Sequence, residues 1–158
     1  TYSGRVGVRT GQLRLLAREP SRIPAAVEEM LRYESPAQAL PRRARRDFEL
    51  HGRRIPADVR VLLVWGAANR DPREFEDADR FDVRRTIRRH LALGHGIHSC
   101  LGASLARLEA RVAFEELLAR VPDFALEAKP GWITSRWARA HPAVPISFGR
   151  APRRSARS

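Results

Sequence analysis

Leu91-Ala-Leu-Gly-His-Gly-Ile-His-Ser-Cys-Leu-Gly102 decides how this chain is read. It holds the only cysteine, Cys100, with His95 and His98 just before it and Gly94, Gly96 and Gly102 around it. A helical pattern over 101–121 follows at once. Leu101, Leu105, Leu108 and Val112 form one apolar row, which Phe114, Leu117, Leu118 and Val121 continue with some drift before Pro122 ends it. A helix N-terminus carries partial positive charge, which favours the thiolate form of a cysteine placed there. The glycines let the backbone adopt unusual angles and lie close to a large flat ligand.

Several chemistries fit such a thiolate: metal ligation, attack on an electrophile, or holding a haem. Zinc would need His95, His98 and Cys100 with a fourth ligand such as His90. Structural zinc sites use two separated ligand pairs, and no second pair is present here. A nucleophilic thiol would need a base, for which His95 or His98 is placed. A lone cysteine is most often buried and inert, and the flanking glycines argue against that here.

Outward from this loop, the composition bounds the alternatives. The chain has 158 residues, enough for one domain or part of one, with an apolar fraction of 43%. Its formal net charge is +12, carried almost wholly by arginine, since Lys129 is the only lysine. Such a balance attracts acidic partners, but the arginines occur in every segment and form no single block. A nucleic-acid binder would need a compact arginine face or aromatic stacking platforms, so no nucleic-acid partner is expected. One cysteine precludes an internal disulfide, which points to a reducing cytoplasm. No apolar run approaches about 18 residues, so no membrane span is expected. No signal peptide is visible, and the chain begins at Thr1 rather than methionine, which leaves room for a preceding portion. The last residues, 149–158, are basic and are expected to be a disordered tail.

Along the chain, residues 1–9 show no period. Residues 10–18 suit the end of a helix, stopped by Glu19-Pro20. A second helix is better marked, with Pro24 in its first turn, Ile23, Val27, Met30 and Leu31 at helical spacing, and Ser35-Pro36 at its end. Residues 48–50 and 53–55 suit two strands about a His51-Gly52 turn, and 59–64 a third, together a small antiparallel sheet. Trp65 to Asn69 suits a short helix. Residues 69–90 form a long irregular stretch dense in Asp, Arg, Pro and Phe, and loops of this length are often functional. Phe124 to Phe148 suits short strands and turns.

Two further motifs are weak alone. Glu29-Met-Leu-Arg32 puts a carboxylate and a guanidinium on one helix face, as any surface ion pair would, and Glu28 is placed for the same pairing. Asp79-Arg-Phe-Asp82 could fix a loop by an inward arginine beside a packed ring. Taken in order and spacing with the cysteine loop, they resemble the C-terminal part of a cytochrome P-450, the haem-thiolate monooxygenase family, of the soluble bacterial type. The family signature F-x-x-G-x-[H/R]-x-C-x-G is matched by Leu93-Gly-His-Gly96-Ile-His98-Ser-Cys100-Leu-Gly102 at every position but the first. The family's E-x-x-R helix matches Glu29 and Arg32, and its meander motif matches Arg80-Phe81. Asn69-Arg-Asp-Pro72 and Ala106-Arg-Leu-Glu109 also look like the bacterial branch. The resemblance covers 10–148.

The resemblance implies a mainly α fold with a small antiparallel sheet (α+β), an incomplete part of the family's fold. It implies haem b (iron protoporphyrin IX) as cofactor, with Cys100 as the axial thiolate on the iron. His98 and Arg42 would each bond a haem propionate, and Leu93, Gly94, Leu101, Gly102 and Ala106 would line the haem. Glu29, Arg32 and Arg80 would form a buried structural triad. Ala37 to Pro41 would border the substrate pocket. The parent reaction would insert one oxygen atom from O2 into a small organic substrate. A ferredoxin- or flavodoxin-type electron donor would dock near Arg88, Arg89, Arg107 and Arg111. Leu93 stands where the family has phenylalanine, and Asp58 where its turn has glycine, which would strain a positive φ. The oxygen-activating helix is expected just before residue 10, and Thr1 to Arg9 do not match it. The rival expectation is therefore a truncated haem-binding or inactive remnant without turnover. A core lacking its helical half would also expose apolar surface and aggregate.

Overall fold

The computed structural model describes residues 11–122, 124–127 and 130–148. The expectations for 1–9 and for the tail at 149–158 lie outside the described residues. Residues 11–18 form helix α1. A 3-10 turn at Pro20–Arg22 leads into α2, Ile23–Tyr33. Strands β1 (Leu40–Arg43), β2 (Phe48–Leu50), β3 (Arg53–Ile55) and β4 (Arg60–Leu63) precede the short α3, Trp65–Ala68. After the irregular stretch come a 3-10 turn at Gly96–His98, helix α4 (Ala103–Arg120), and strands β5 (Phe124–Leu126) and β6 (Ile146–Phe148).

Helix α2 is the centre of the packing. Pro24 sits in its first turn, where the missing N–H leaves no helical bond unmade. Ile23, Ala26 and Val27 face inward, and their cluster includes Leu16, Val83 and Leu118. Burying each large apolar side chain contributes about 1.5–3 kcal/mol. Gln12 of α1 fastens the meander, donating to the Phe81 carbonyl at 2.8 Å and accepting from the Val83 amide at 2.9 Å.

Among the described residues, the small sheet expected over 48–64 is instead two separate two-stranded antiparallel ladders, and β5 and β6 form a third. The 60–63 strand does not join the β2–β3 hairpin. It pairs with β1 in the register Leu40↔Leu63 to Arg43↔Arg60. Sequence patterning misses β1 because Leu-Pro-Arg-Arg lacks alternation, and proline is tolerated in a strand that lies at an edge. The β2–β3 turn uses His51 and Gly52, both at positive φ. Asp58 also has a positive φ, 67°, so the expected strain is present at that turn.

Helix α4 departs from expectation in orientation. It enters the core through Ala110, Phe114 and Leu118. The row Leu101, Leu105, Leu108 and Val112 is exposed. The helix is apolar on two sides, and the described residues cover one of them. Among the described residues, no helix is long and apolar enough to cross a membrane.

Candidate cofactor site around Cys100

The cysteine loop is a closed backbone structure. Its neck is tied by the Cys100 amide donating to the Leu93 carbonyl at 2.7 Å. The Gly94 amide donates to the Leu91 carbonyl at 3.0 Å, and the Ser99 amide to the Gly96 carbonyl at 3.0 Å. Gly94 has φ +76°, and a Cβ there would lie 2.5 Å from the His98 carbonyl oxygen, so no other residue fits without moving the loop. The Cys100 carbonyl accepts from the Ala103 amide at 3.1 Å, which sets the thiol directly before the first turn of α4.

The surroundings of Cys100 are unusual for a metal site built from protein alone. Its thiol is exposed and free. Among the described residues, no group of three His, Cys, Asp or Glu side chains could hold a metal ion. His90, considered as a fourth zinc ligand, is engaged with Glu28 at 3.0 Å. Ile97 and Leu101, the two most exposed large apolar side chains, lie on either side of Cys100 in the chain, and Leu105 follows on α4. One thiolate, a glycine-relieved backbone and bare apolar surface suit haem iron, which takes a single cysteine thiolate and lays a flat apolar ring beside it. They do not suit a multi-ligand metal ion.

Beneath the loop, buried polar groups fix the meander. Arg32 and Glu29 are completely buried. Arg32 forms a two-bonded fork with Glu29, Nε to Oε2 at 2.7 Å and Nη2 to Oε1 at 2.9 Å. Its remaining donors reach the carbonyls of Asn69 at 2.8 Å, Ala78 at 2.9 Å and Arg80 at 3.3 Å. Glu29 also accepts from the Asp82 amide at 2.8 Å.

The expected third member of the triad is corrected. The Arg80 side chain points outward, mostly exposed, with Asp82 at 3.7 Å. Arg80 contributes its carbonyl, and the second guanidinium near Glu29 belongs to Arg85, 3.5 Å away and largely buried. In an arginine-dense stretch without secondary structure, no period distinguishes the two.

Asn69, to which sequence reasoning gave no role of its own, and His90, which it offered only as a zinc ligand, hold the approach to the loop. Asn69, buried, donates to the Ser35 hydroxyl at 2.7 Å and accepts from the Leu91 amide at 2.7 Å. His90 contacts Glu28, which Arg107 of α4 grips with bonds of 2.7 and 3.0 Å. Burial alone would raise the Glu28 carboxyl, but the hydrogen bond and charge of Arg107, with help from His90, hold it below the usual glutamate range. Burial pushes the His90 imidazole below its ordinary range against the pull of Glu28. The signal for Asn69 lay in Asn69-Arg-Asp-Pro72, and Arg70 of that motif stacks on the Tyr33 ring and donates to the Tyr33 carbonyl.

The other expected residues are placed as follows. His98 ends the 3-10 turn and is exposed. Arg42, half-buried on β1, donates to its neighbour Pro41 at 3.0 Å. Leu93 and Ala106 are half-buried. Of the four arginines expected near the loop, three are in ion pairs: Arg89 with Glu74, Arg107 with Glu28, and Arg111 with Glu115. They do not make an uncompensated basic patch.

The family model described as "Cytochrome P450" matches residues 23–131. The chain is 46% identical over 143 residues to the cytochrome P450 monooxygenase PikC of Streptomyces venezuelae, covering 88% of this chain and 34% of that protein. It is 49% identical over 115 residues to 6-deoxyerythronolide B hydroxylase of Saccharopolyspora erythraea, covering 73% of this chain and 28% of that protein. A solved structure of P450BioI with a hexadec-9Z-enoic acid-ligated acyl carrier protein is similar at a TM-score of 0.86 and 44% identity, over 88% of this chain and 36% of that one. The chain belongs to the cytochrome P450 family, whose members carry haem. It spans about a third of the length of the curated relatives it matches.

Proposed function

We propose that this chain is the proximal haem-binding part of a bacterial monooxygenase, and that Cys100 is the iron ligand. The observation that carries this reading is the exposed thiol at the start of α4, set by the Leu93–Cys100 backbone bond and flanked by bare apolar side chains. Bound haem b would supply the redox chemistry by which one oxygen atom of O2 enters a small organic substrate. Cys100 would donate electron density to the iron. His98 and Arg42 would each hydrogen-bond a haem propionate, drawing on their exposed or half-exposed positions. Leu93, Gly94, Leu101, Gly102 and Ala106 would line the ring and keep water from the sulfur. Glu29, Arg32 and Arg85 would hold the meander that supports the loop. The buried Ala39 and partly exposed Leu40 would give the substrate pocket an apolar edge.

Electrons would come from a ferredoxin- or flavodoxin-type protein, favoured by the net charge of +12. A cytoplasmic setting suits the single free cysteine. The chain taken alone also supports a second reading, a haem-binding piece without turnover. The exposed row along α4 favours it, because nothing among the described residues covers that side of the helix.

The test is to add haem to the purified chain and record the reduced carbon-monoxide difference spectrum. A thiolate-type Soret band that Cys100→Ser abolishes is the expected result. Absence of haem uptake contradicts the ligand assignment. Product formation with a surrogate redox pair then separates the two readings.

A further inference from the structure

His90, Leu91 and Ala92 lead into the cysteine turn, and each is held by a hydrogen bond. We propose that His90 is a positioning residue for Cys100: clamped between the Glu28 carboxylate and the Ala92 amide, its ring fixes the segment whose Leu93 carbonyl holds the Cys100 amide. The inference rests on the reading of Cys100 as the haem ligand.

The hydrogen bonds define the ring's state. The Ala92 N–H donates to Nδ1 of His90 at 3.2 Å, so Nδ1 carries no proton. The ring proton of the neutral imidazole is then on Nε2, which donates to Glu28 Oε2 at 3.0 Å. The His90 side chain is only 2% exposed, so water does not substitute for either partner. Glu28 belongs to α2 and is gripped from the other side by Arg107 of α4. The ring is thus referenced to both helices that frame the site.

From His90 the restraint passes forward through consecutive residues. The Leu91 amide is held by Asn69 at 2.7 Å, the Ala92 amide by His90, and the Leu93 carbonyl by the Cys100 amide at 2.7 Å. Asn69 is itself anchored to Ser35 at the end of α2. A turn of the backbone at Ala92 therefore moves the acceptor that places Cys100. Groups that do not touch a metal can still orient its ligand through the hydrogen bonds behind it.

Protonation would break the clamp. A second proton must go to Nδ1, where the Ala92 N–H already points, and two donors cannot face one another there. Glu28 on α2 favours that proton, whereas burial, Arg107 on α4 and Arg32 on α2 oppose it. Burial lowers the pKa of His90 in the folded chain, while the unfolded chain takes the proton near pH 6.5. The contribution to stability is therefore present above about pH 6.5 and is lost as the pH falls below it.

Two replacements separate the two ends of the ring. His90→Asn keeps an acceptor where Nδ1 meets Ala92, and His90→Gln keeps a polar group where Nε2 meets Glu28. In the haem-free chain, amide hydrogen exchange over 92–100 should quicken about five- to tenfold in H90Q, the loss of one buried hydrogen bond, and stay near the parent rate in H90N. Exchange within α2 should change in neither. With haem bound, H90Q should lose its thiolate-type Soret band at a higher pH than H90N or the parent. Equal loop exchange in the two variants overturns the proposal. Should both variants fail to fold, the parent chain decides: on acidification below pH 6.5 its loop amides should lose protection before those of α2, and simultaneous loss overturns the proposal. The exchange measurements need no haem, so a failure of haem binding sinks the ligand assignment and leaves the role of His90 separately decided.

Discussion

Helices α2 and α4 depart from the ordinary pattern of burial in opposite directions. In α2 a glutamate and an arginine are completely enclosed, whereas in α4 and the loop before it Ile97, Leu101, Leu105, Leu108 and Val112 are exposed. The two departures have different causes. Every donor of Arg32 finds an acceptor within the chain, in Glu29 or the carbonyls of Asn69, Ala78 and Arg80, so the buried charge is self-sufficient. The apolar row of α4 has no such closure among the described residues. The lesson is that the buried charge of Arg32 finds all its partners among the described residues, while the apolar row of α4 is left uncovered by them. A family member spanning only about a third of its relatives' length would show this division.

The largest effect that could break the contrast lies in α2. Arg32→Ala should destabilise the fold by about 3–5 kcal/mol, because Glu29 would remain buried with only the more distant Arg85, 3.5 Å away, to offset its charge. Urea unfolding measures this directly. Pairing it with Glu29→Gln should recover part of the loss, and a near-neutral Arg32→Ala would show that the network is not self-sufficient.

Within α4 the contrast can be sharpened between two leucines. Leu118→Ala, in the core, should cost about 2–5 kcal/mol. Leu105→Ala, on the exposed row, should change stability of the haem-free chain by less than about 0.5 kcal/mol. A large loss at Leu105 would mean that the row is already covered, for example by a second copy of the chain.

A small effect of the opposite sign is expected at Asp58, whose φ of 67° lies in the left-handed region. Asp58→Gly removes that strain but also the exposed contact with Arg43 at 2.8 Å. The balance should be stabilising by up to about 1 kcal/mol, read as a rise in the unfolding midpoint.

How far the sequence disclosed these features follows from what carries each signal. The cysteine loop was legible because its glycines answer a local backbone demand, which the φ of Gly94 and its closeness to His98 bear out. Glu29 and Arg32 were legible because helical spacing fixes their common face. Arg85 was not, since the meander has no period and five residues separate it from Arg80, the guanidinium expected there. Strand β1 was hidden by Pro41 and the arginines beside it. For α4 the pattern located the apolar row correctly but not what covers it, because periodicity reports a face and not its partner. Asn69 reaches the Leu91 amide and His90 the Glu28 carboxylate across long sequence separations, and residue type alone does not announce that.

The most direct test of the division between a closed scaffold and an open cofactor face is amide hydrogen exchange with and without added haem. Protection should increase over 94–106 and remain unchanged within α2. Haem that binds without protecting 94–106, or that protects α2 instead, would contradict the account.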